Sequence, residues 1–358
     1  MLAFLRSFFN RPATPAAAGA AIDGPSSRAV RDDANAASPA IGTVAPAPTP
    51  PRAARSGAAG DEAFTFDGLA HALADRAARL AALFPDATHA DVRAVAASLA
   101  ADPAATIRQL PAAAQQALAL VQTAEPGVPR LVFTIERDPT LAQSVLRHAN
   151  SALHAGTGRP CYAVAEAIGR IGVAGVKQAV LAYTMEALIC RPDDPFAAMS
   201  RQVWEHSART SSIARALAPA FGADADEAAS LALLHDVGKL LVFDRIATLR
   251  SEAKRDLQLA PDAVRVLLRE FHEPLGGLAM YRWSLGAPAA RAVAAHHRAP
   301  APATRDPLGE TLFVAEAADL ALERGVLLDL EPLWITGGLA GSAADARAAL
   351  ARFSLAPV

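Results

Sequence analysis

The chain has 358 residues, enough for two or three folding units of roughly 100 to 200 residues each and for a large buried core. Hydrophobic residues make up 52% and aromatic residues only 5%, so Ala, Leu and Val must fill the interior, as is typical of helical proteins. The formal charge of -2 excludes recognition of nucleic acid or of an anionic membrane by bulk electrostatics.

The two cysteines, Cys161 and Cys190, lack CxxC spacing. This excludes a disulfide framework and a thiolate zinc cluster, and it fits a reducing compartment, so we expect a cytoplasmic protein. No uninterrupted apolar run reaches the roughly 18 residues that a transmembrane helix needs.

Residues 1–10, MLAFLRSFFN, are apolar but short, and Arg6 interrupts them, which is unlike a signal peptide. As a helix this segment is either a weak membrane anchor or a docking element for a partner, and its sequence leaves both open. Its apolar side chains share one helical face: Leu2, Leu5, Phe8 and Phe9.

Residues 11–60 contain 17 Ala and 8 Pro and no aromatic residue, which predicts a disordered tether. The next segment, 61–104, has helical spacing of Leu, Ala, Phe and Val, with Pro85 and Pro103 as breakers, and predicts a helical pair. The predicted organisation is a tether with a short apolar N-terminal segment (1–60), the pair (61–104), a helical domain (105–325) divided at 198/199, and a partly helical tail (326–358).

From about Thr106 one helical pattern follows another without sustained alternation, which predicts an all-α fold. Asp138 and Pro139 are the N-cap and first-turn proline of a helix through LAQSVLRHANSAL. Glycines separate AVAEAIGRIGV from AGVKQAVLAYTMEALI, which predicts a tight junction between two helices. Further helices are predicted in SRQVWEHSARTSSIARALAPAF, ADEAASLALLHDVGKLLVF, a polar stretch at 261–271, EPLGGLAMYRWSL, PAARAVAAHH and GETLFVAEAADLALERG.

The segment LALLHDVGKLLVF, residues 231–243, combines apolar flanks with a His, an Asp and a Lys. Burying an imidazole and a carboxylate costs several kcal/mol unless each is paired or coordinated. On a helix, adjacent residues project about 100° apart, so His235 and Asp236 could reach neighbouring points of one cleft as nitrogen and oxygen ligands of a divalent metal.

Polar residues in or beside predicted helices recur along this part of the chain. More than half of the 9 histidines lie between 206 and 297. Imidazoles and buried carboxylates from separate helices are what a metal site in a helical bundle needs. Alternatives stay open: the paired histidines could interact with a helix dipole, and His206 could be a hydrogen-bonded core residue. The additional residues are His206, His272, His296, His297 and Asp319.

Five motifs occur in a fixed order along the chain: a single histidine (His206), the sequence HDVGK (235–239), a histidine with glycine four residues later (His272), a histidine pair (His296 and His297) and an aspartate in the sequence AAD (Asp319). This order resembles the HD superfamily of metal-dependent phosphohydrolases. ERDPTLAQSVLRHANSA and AVAEAIGRIGVAGVKQAVLA resemble the N-terminal half of the HDOD domain, the HD-related output domain of bacterial signalling proteins. The resemblance covers about Thr106 to Gly325. It implies an all-α helical bundle of the HD type with an additional N-terminal helical half.

Carried over residue by residue, the resemblance implies metal ligands at His206, His235, Asp236 and Asp319. His272, His296 and His297 would match the additional ligands used where the superfamily holds two metals. One or two divalent ions are therefore expected, and nitrogen and oxygen ligands admit Mn, Fe, Mg, Zn or Co.

Four other residues also match family motifs. Lys239 matches the HDxGK lysine and could contact a phosphate, or could cap its helix as an extended surface lysine. Gly238 of the same motif would allow close approach of helices. Asn150 and Ser151 match the NS pair of the N-terminal half, where we expect them to bond loop backbone.

Two motifs depart from the family pattern. The segment after the HH pair, HHRAPAPATRDP, lacks the Gly-Tyr-Pro element of the cyclic-di-GMP phosphodiesterases of the superfamily, which argues against that activity. The usual W-x-L-P turn is Trp283, Ser284, Leu285 and Gly286, with proline two positions late.

Three functions follow from this pattern. The first is a bacterial signalling module that binds an unidentified protein partner and holds a structural or regulatory metal. The second is a phosphohydrolase or phosphodiesterase in which the metals activate water and Lys239 stabilises charge on phosphate. The third is a metal-free scaffold whose histidines are simply packed and hydrogen-bonded.

Overall fold

The computed structural model describes residues 62–123, 127–151, 159–189, 194–300, 305–326 and 330–353. All of these belong to one compact unit, Arg55–Val358. The predicted tether, the apolar N-terminal segment and Cys190 lie outside the described residues.

The described residues form helices and connecting turns and include no β-strand, so the all-α prediction is confirmed. Short 3-10 helices occur at Glu62–Phe64, Ala87–His89 and Ala351–Phe353. The α-helices, in chain order, are α1 (Phe66–Leu83), α2 (Ala90–Ala101), α3 (Pro103–Thr106), α4 (Ala112–Val121), α5 (Val128–Glu136), α6 (Pro139–Ala149), α7 (Val164–Ala187), α8 (Ala197–Phe221), α9 (Ala225–Leu234), α10 (Val237–Ala253), α11 (Pro261–Arg282), α12 (Gly286–Ala294), α13 (Pro307–Glu323), α14 (Glu331–Gly337) and α15 (Ala343–Leu350).

None of the helices in the described part of the chain combines the length and the apolar character required to cross a bilayer.

The helical pair α1 and α2 packs on α11. Leu69 and Leu73 of α1 are buried, and a side chain at Gly277 of α11 would meet the Leu69 side chain at 2.9 Å, so the glycine permits close packing. The Tyr281 hydroxyl of α11 donates a hydrogen bond of 2.8 Å to the Phe64 carbonyl oxygen. The pair is therefore joined to the body of the helical domain by apolar and polar contacts.

In the N-terminal half of the domain, α6 begins as predicted, because the Asp138 side chain accepts hydrogen bonds from the Thr140 and Leu141 amides at 3.0 Å each. The predicted junction within 164–187 is also present. Gly172 has φ of 65° and breaks the helical path inside α7, a conformation that favours glycine.

Asn150 holds the chain between α6 and α7. Its side-chain amide donates to the Cys161 carbonyl oxygen at 2.9 Å and accepts from the Cys161 amide at 2.8 Å. This pair of bonds confirms the expectation that Asn150 bonds loop backbone.

In the second half of the domain, α8 packs against α9 and α13, while α10 and α12 both pack against α11. The sequence predicts a single helix from 225 to 243, but the structure has two, because α9 ends at Leu234 and α10 begins at Val237. His235 and Asp236 lie at this junction, where the chain turns. The prediction of one helix was wrong because the apolar residues on both sides of the turn continue the same helical pattern in the sequence.

The opposite difference occurs in α11, which is continuous over Pro261–Arg282 although two helices are predicted there. Pro274 removes one backbone hydrogen bond, but the helix on both sides of it is buried, so packing holds the helical conformation. This continuity places His272 one helical turn before the glycines that contact α12 and the α9–α10 junction.

Candidate metal centre

The candidate ligands come from helix interiors and helix junctions that meet around Gly238. Because a side chain on Gly238 would overlap the carbonyl oxygen of His272, only glycine lets α10 approach α11 this closely. The predicted role of Gly238 is confirmed by this contact. The approach brings Asp236, just before α10, next to His272.

His206, His235 and Glu316 form the first group of neighbouring donor atoms. The Nε2 atoms of His206 and His235 are 3.1 Å apart. Glu316 Oε2 lies 2.9 Å from His206 Nε2 and 3.1 Å from His235 Nε2. Two ligand atoms held at right angles about 2.1 Å from one ion lie about 3.0 Å apart, so this spacing fits a shared cation.

Asp236 joins this group to a second one. Its Oδ2 atom is 3.7 Å from His206 Nε2 and 3.6 Å from His235 Nε2. Its Oδ1 atom is 3.6 Å from His296 Nε2 and 3.9 Å from His272 Nε2. One carboxylate therefore faces imidazoles on both sides.

The second group is completed by His297, whose Nε2 atom is 3.0 Å from His272 Nε2. Its Nδ1 atom lies 3.8 Å from Glu316 Oε1. We call the seven residues that face one another here the donor cluster: His206, His235, Asp236, His272, His296, His297 and Glu316.

Hydrogen bonds fix which ring nitrogen of each histidine faces the cluster. The Nδ1 atom of His235 donates to the Ala232 carbonyl oxygen at 2.6 Å, that of His272 to Leu268 at 2.8 Å, and that of His296 to Val293 at 2.7 Å. Since a neutral imidazole has one N–H, the Nε2 atoms carry lone pairs toward the cluster. Such backbone anchoring is characteristic of metal-ligating histidines.

Asp319 anchors His206 in the same way and lies outside the donor cluster. Its Oδ2 atom accepts from His206 Nδ1 at 2.6 Å. Arg209 binds both oxygens, from Nε to Oδ1 at 3.0 Å and from Nη2 to Oδ2 at 3.1 Å. The structure thus turns the expected carboxylate ligand away from the cluster, and Glu316, one helical turn earlier in α13, supplies the inward carboxylate.

Several buried acceptor atoms of the cluster lack a hydrogen-bond donor among the described residues. Asp236 Oδ1, His296 Nε2 and Glu316 Oε2 have none of acceptable geometry, although nitrogen and oxygen atoms lie near them. Two lone pairs facing each other in a buried site repel unless a cation or a proton lies between them. The residues present therefore fit a divalent cation.

The charges of the cluster are strongly coupled. Burial disfavours the charged form of Asp236, but the Lys239 ammonium and the neighbouring histidines together outweigh it and hold the Asp236 pKa well below its usual value. Burial likewise opposes ionisation of Glu316, and His206 and His235 bring its pKa well below the ordinary range. Both carboxylates are therefore anionic, as metal ligands must be.

The histidines divide into two types. For His206, burial lowers the pKa, but Glu316 and Asp319 outweigh it and raise the pKa to about 10. For His297, burial and the neighbouring His296 lower the pKa to about 3. Burial and Lys239 also lower the pKa of His272 well below its ordinary value. For His296, burial lowers the pKa, but the nearby carboxylates, Asp236 first, outweigh it and raise the pKa. Without a metal, protons would collect on His206 and His296, which lie beside carboxylates.

Lys239 pairs with Asp236 Oδ2, so the predicted signature lysine contacts a cluster carboxylate. Its side chain is 18% exposed, and that of His297 is 26% exposed. Every other member of the donor cluster exposes 7% of its side chain or less. Within the described part of the chain, the cluster therefore opens to solvent near Lys239 and His297.

The sequence model of the HDOD domain matches residues 107–299, more than half of the chain, and the chain belongs to the HDOD family. No curated protein matches it.

Three solved structures show the same fold. One from Shewanella amazonensis SB2B, named as a candidate metal-dependent phosphohydrolase, has a TM-score of 0.53 and 18% identity over 74% of this chain and 99% of its own. A second from the same organism, named as a candidate phosphohydrolase, has a TM-score of 0.55 and 21% identity over 72% and 94%. An HDOD domain protein of unknown function from Geobacter sulfurreducens has a TM-score of 0.50 and 19% identity over 69% and 88%.

The candidate ligands predicted from the sequence converge in the structure, except that Asp319 lies behind His206. Sequence reasoning missed Glu316 and Arg209. The signal for Glu316 was present, because a second acidic residue in the apolar stretch LFVAEAADLAL lies three positions before Asp319, on the same side of the helix. Arg209 similarly follows His206 by three positions.

Proposed function

We propose that this protein is a cytoplasmic signal-transduction module that acts through a protein partner and contains a structural or regulatory metal. The HDOD family match supports a signalling role. The buried free thiol of Cys161 agrees with a reducing compartment.

The donor cluster is the proposed metal site. Its ligands would be His206, His235, Asp236, His272, His296, His297 and Glu316, with Asp319 orienting His206. Five imidazoles favour Fe, Mn, Co or Zn over Mg, which prefers oxygen ligands. Since the two groups of donors share only Asp236, the cluster has donors for one or two ions.

The observation that carries the regulatory interpretation is the burial of the donors. A substrate must reach the metal, yet Asp236, His235 and His296 have fully buried side chains and only His297 and Lys239 are appreciably exposed. A metal enclosed by so many protein donors holds helices together more readily than it binds a substrate.

Exposed apolar side chains on the N-terminal half support binding of a protein partner. Val128 and Phe133 of α5 are 45% and 62% exposed, and Tyr162, before α7, is 82% exposed. Aromatic side chains exposed on a helical surface are favourable contact residues for a partner.

Elemental analysis of untagged full-length protein, purified without added metal, tests the metal site. We expect about stoichiometric Fe, Mn, Co or Zn, and no turnover of generic phosphodiester and nucleotide substrates. His235→Ala should lose the metal, whereas His71→Ala, at an exposed histidine of α1, should keep it. Protein without metal would contradict the proposal and favour the scaffold hypothesis.

A second candidate function is hydrolysis of a phosphate ester. Asp236 faces both groups of donors, as a carboxylate shared by two metals would, and Lys239 lies beside it at the exposed side of the cluster. Divalent ions bound there would supply Lewis acidity toward phosphate oxygens. Metal-dependent turnover that Asp236→Ala abolishes would establish this function in place of the regulatory one.

A further inference from the structure

A cleft of about 740 Å³ lies between the two halves of the domain, away from the donor cluster. It is lined by residues of α6, α7 and α8, by Leu233 of α9, and by Arg352 and Phe353. The volume is within the range of roughly 300–1,000 Å³ that is typical of small-molecule sites. None of the donor-cluster residues lines it.

The cleft has an unsatisfied hydrogen-bond donor. Gln178 of α7 lines the cleft and is 6% exposed, and its amide Nε2 has no hydrogen-bond partner among the described residues. A buried amide without a partner costs about 1–3 kcal/mol. An acceptor atom of a bound molecule that reaches this amide would remove the cost.

The charge that lines the cleft is positive. Arg147, Arg215 and Arg352 come from separate elements, whereas Glu186 is the only carboxylate among the described residues that line the cleft. Arg147 is held by Glu186 at 2.6 Å, and Arg215 pairs with Asp226. These two ion pairs orient the Arg147 and Arg215 guanidinium groups and leave some of their N–H donors unused, while Arg352 forms no ion pair among the described residues. The arginines can therefore donate hydrogen bonds to an anion such as a phosphate.

The same cleft offers an apolar surface for a ring. Trp204 of α8 contributes its indole to the wall, beside small side chains that include Ala208 and Ala182. Indole and guanidinium planes are the protein surfaces on which nucleobases stack. A buried amide donor can then bond a polar edge of the base.

We propose that this cleft binds a nucleotide, with its base between the Trp204 wall and the Gln178 amide and its phosphate near the arginines. This function goes beyond the metal site and does not depend on it. A nucleotide bound in the cleft would contact α8, the helix that contains His206, because Trp204 lies two residues before His206 on that helix. The signalling module would then have a small-molecule input.

Isothermal titration of the full chain, as purified, with the 5′-monophosphates of adenosine, guanosine, cytidine and uridine tests the proposal. We expect at least one to bind with a dissociation constant below about 1 mM. Gln178→Leu should weaken that binding about tenfold or more, because it removes the buried donor. Since it also removes an unsatisfied buried amide, this variant should fold at least as stably as the wild type.

Gln115→Leu provides the matched control, because Gln115 is exposed on α4 and does not line the cleft. It should bind as the wild type does. The proposal is overturned if none of the four nucleotides binds, if Gln178→Leu binds as tightly as the wild type, or if inorganic phosphate or the free nucleoside binds as tightly as the nucleotide.

Discussion

Two buried polar regions of this protein differ in how their acceptors are satisfied. Asp91, at the start of α2, accepts hydrogen bonds from Arg255 Nη1 at 2.8 Å, Arg255 Nη2 at 2.6 Å and the Gln258 amide at 2.7 Å. In the donor cluster, acceptors face other acceptors: Asp236 Oδ1 and His296 Nε2 are 3.6 Å apart and neither has a hydrogen-bond donor among the described residues.

This difference distinguishes a structural polar contact from a binding site. The protein supplies the complete set of donors around Asp91, so that carboxylate stabilises the packing of α2 without any ligand. Around Asp236 the protein supplies an excess of acceptors and orients them with second hydrogen bonds. A cation bound there, as proposed, would make such an arrangement stable.

Metal removal should test this contrast with the largest effect. Chelation should lower the free energy of unfolding of the wild type by about 3–4 kcal/mol if the free metal exceeds its dissociation constant by 100- to 1,000-fold. Thermal or urea denaturation before and after chelation measures the change. Chelation should lower the stability of the Asp91→Asn variant by the same amount, because this substitution is remote from the cluster. A wild-type stability that chelation leaves unchanged would contradict the proposal that the cluster binds a cation.

Gly238→Ala tests whether the close approach of α10 to α11 assembles the cluster. The new side chain would overlap the His272 carbonyl oxygen, a backbone atom that cannot rotate away. We expect a loss of about 3 kcal/mol or more, together with loss of metal, measured by urea denaturation and elemental analysis.

The control for this substitution is Gly169→Ala in α7, where a side chain would meet nothing within 4 Å. This change should stabilise the helix by about 0.5–1 kcal/mol. A Gly238→Ala variant as stable as the wild type would show that the helices can separate without cost.

Glu316 and Asp319 allow the inner and outer carboxylates to be compared directly. Asp319→Asn should weaken metal binding about 10–100-fold, because the amide orients His206 less strongly. Glu316→Gln should weaken it more, because it removes an inward-facing oxygen. Competition with a chromophoric chelator measures both affinities, and the reverse order of effects would make Asp319 the ligand.

Much of the fold follows from local sequence signals. Asp138 and Pro139 mark the start of α6, and Gly172 marks the bend in α7, because capping and positive φ depend on residue type. The turn at His235 and the continuity of α11 through Pro274 depend instead on tertiary packing, which no local pattern encodes.

The residues of the candidate site could also be predicted from local sequence. A histidine or aspartate in an apolar helix needs a partner, and this identifies the residues without their geometry. Glu316 and Asp319 lie three positions apart on one helix face, so which one enters the cluster depends on a small rotation of α13 about its axis. The cleft beside Trp204 forms only when distant helices meet, and the sequence does not indicate it.

Asp91→Asn tests the region in which the protein itself supplies the hydrogen-bond donors of a buried carboxylate. The hydrogen bond from Arg255 lowers the Asp91 pKa from 3.8 to about 2, although burial opposes the shift. A carboxyl whose pKa is lower in the folded state stabilises the protein above its unfolded pKa and loses this effect as the pH falls. Allowing for solvent screening of Arg255, we expect Asp91→Asn to cost about 1–2 kcal/mol at pH 7.

The difference in stability between wild type and Asp91→Asn should shrink as the pH falls from 3.8 to about 2, because the wild-type carboxyl is protonated across that interval. Urea denaturation at several pH values from 7 down to about 2 measures it. Asp75→Asn, at an exposed position of α1, is the matched control and should change stability little at any pH. A difference for Asp91→Asn that is independent of pH would mean that the carboxylate contributes shape and packing, and that charge pairing with Arg255 is not what fixes α2 to the loop after α10.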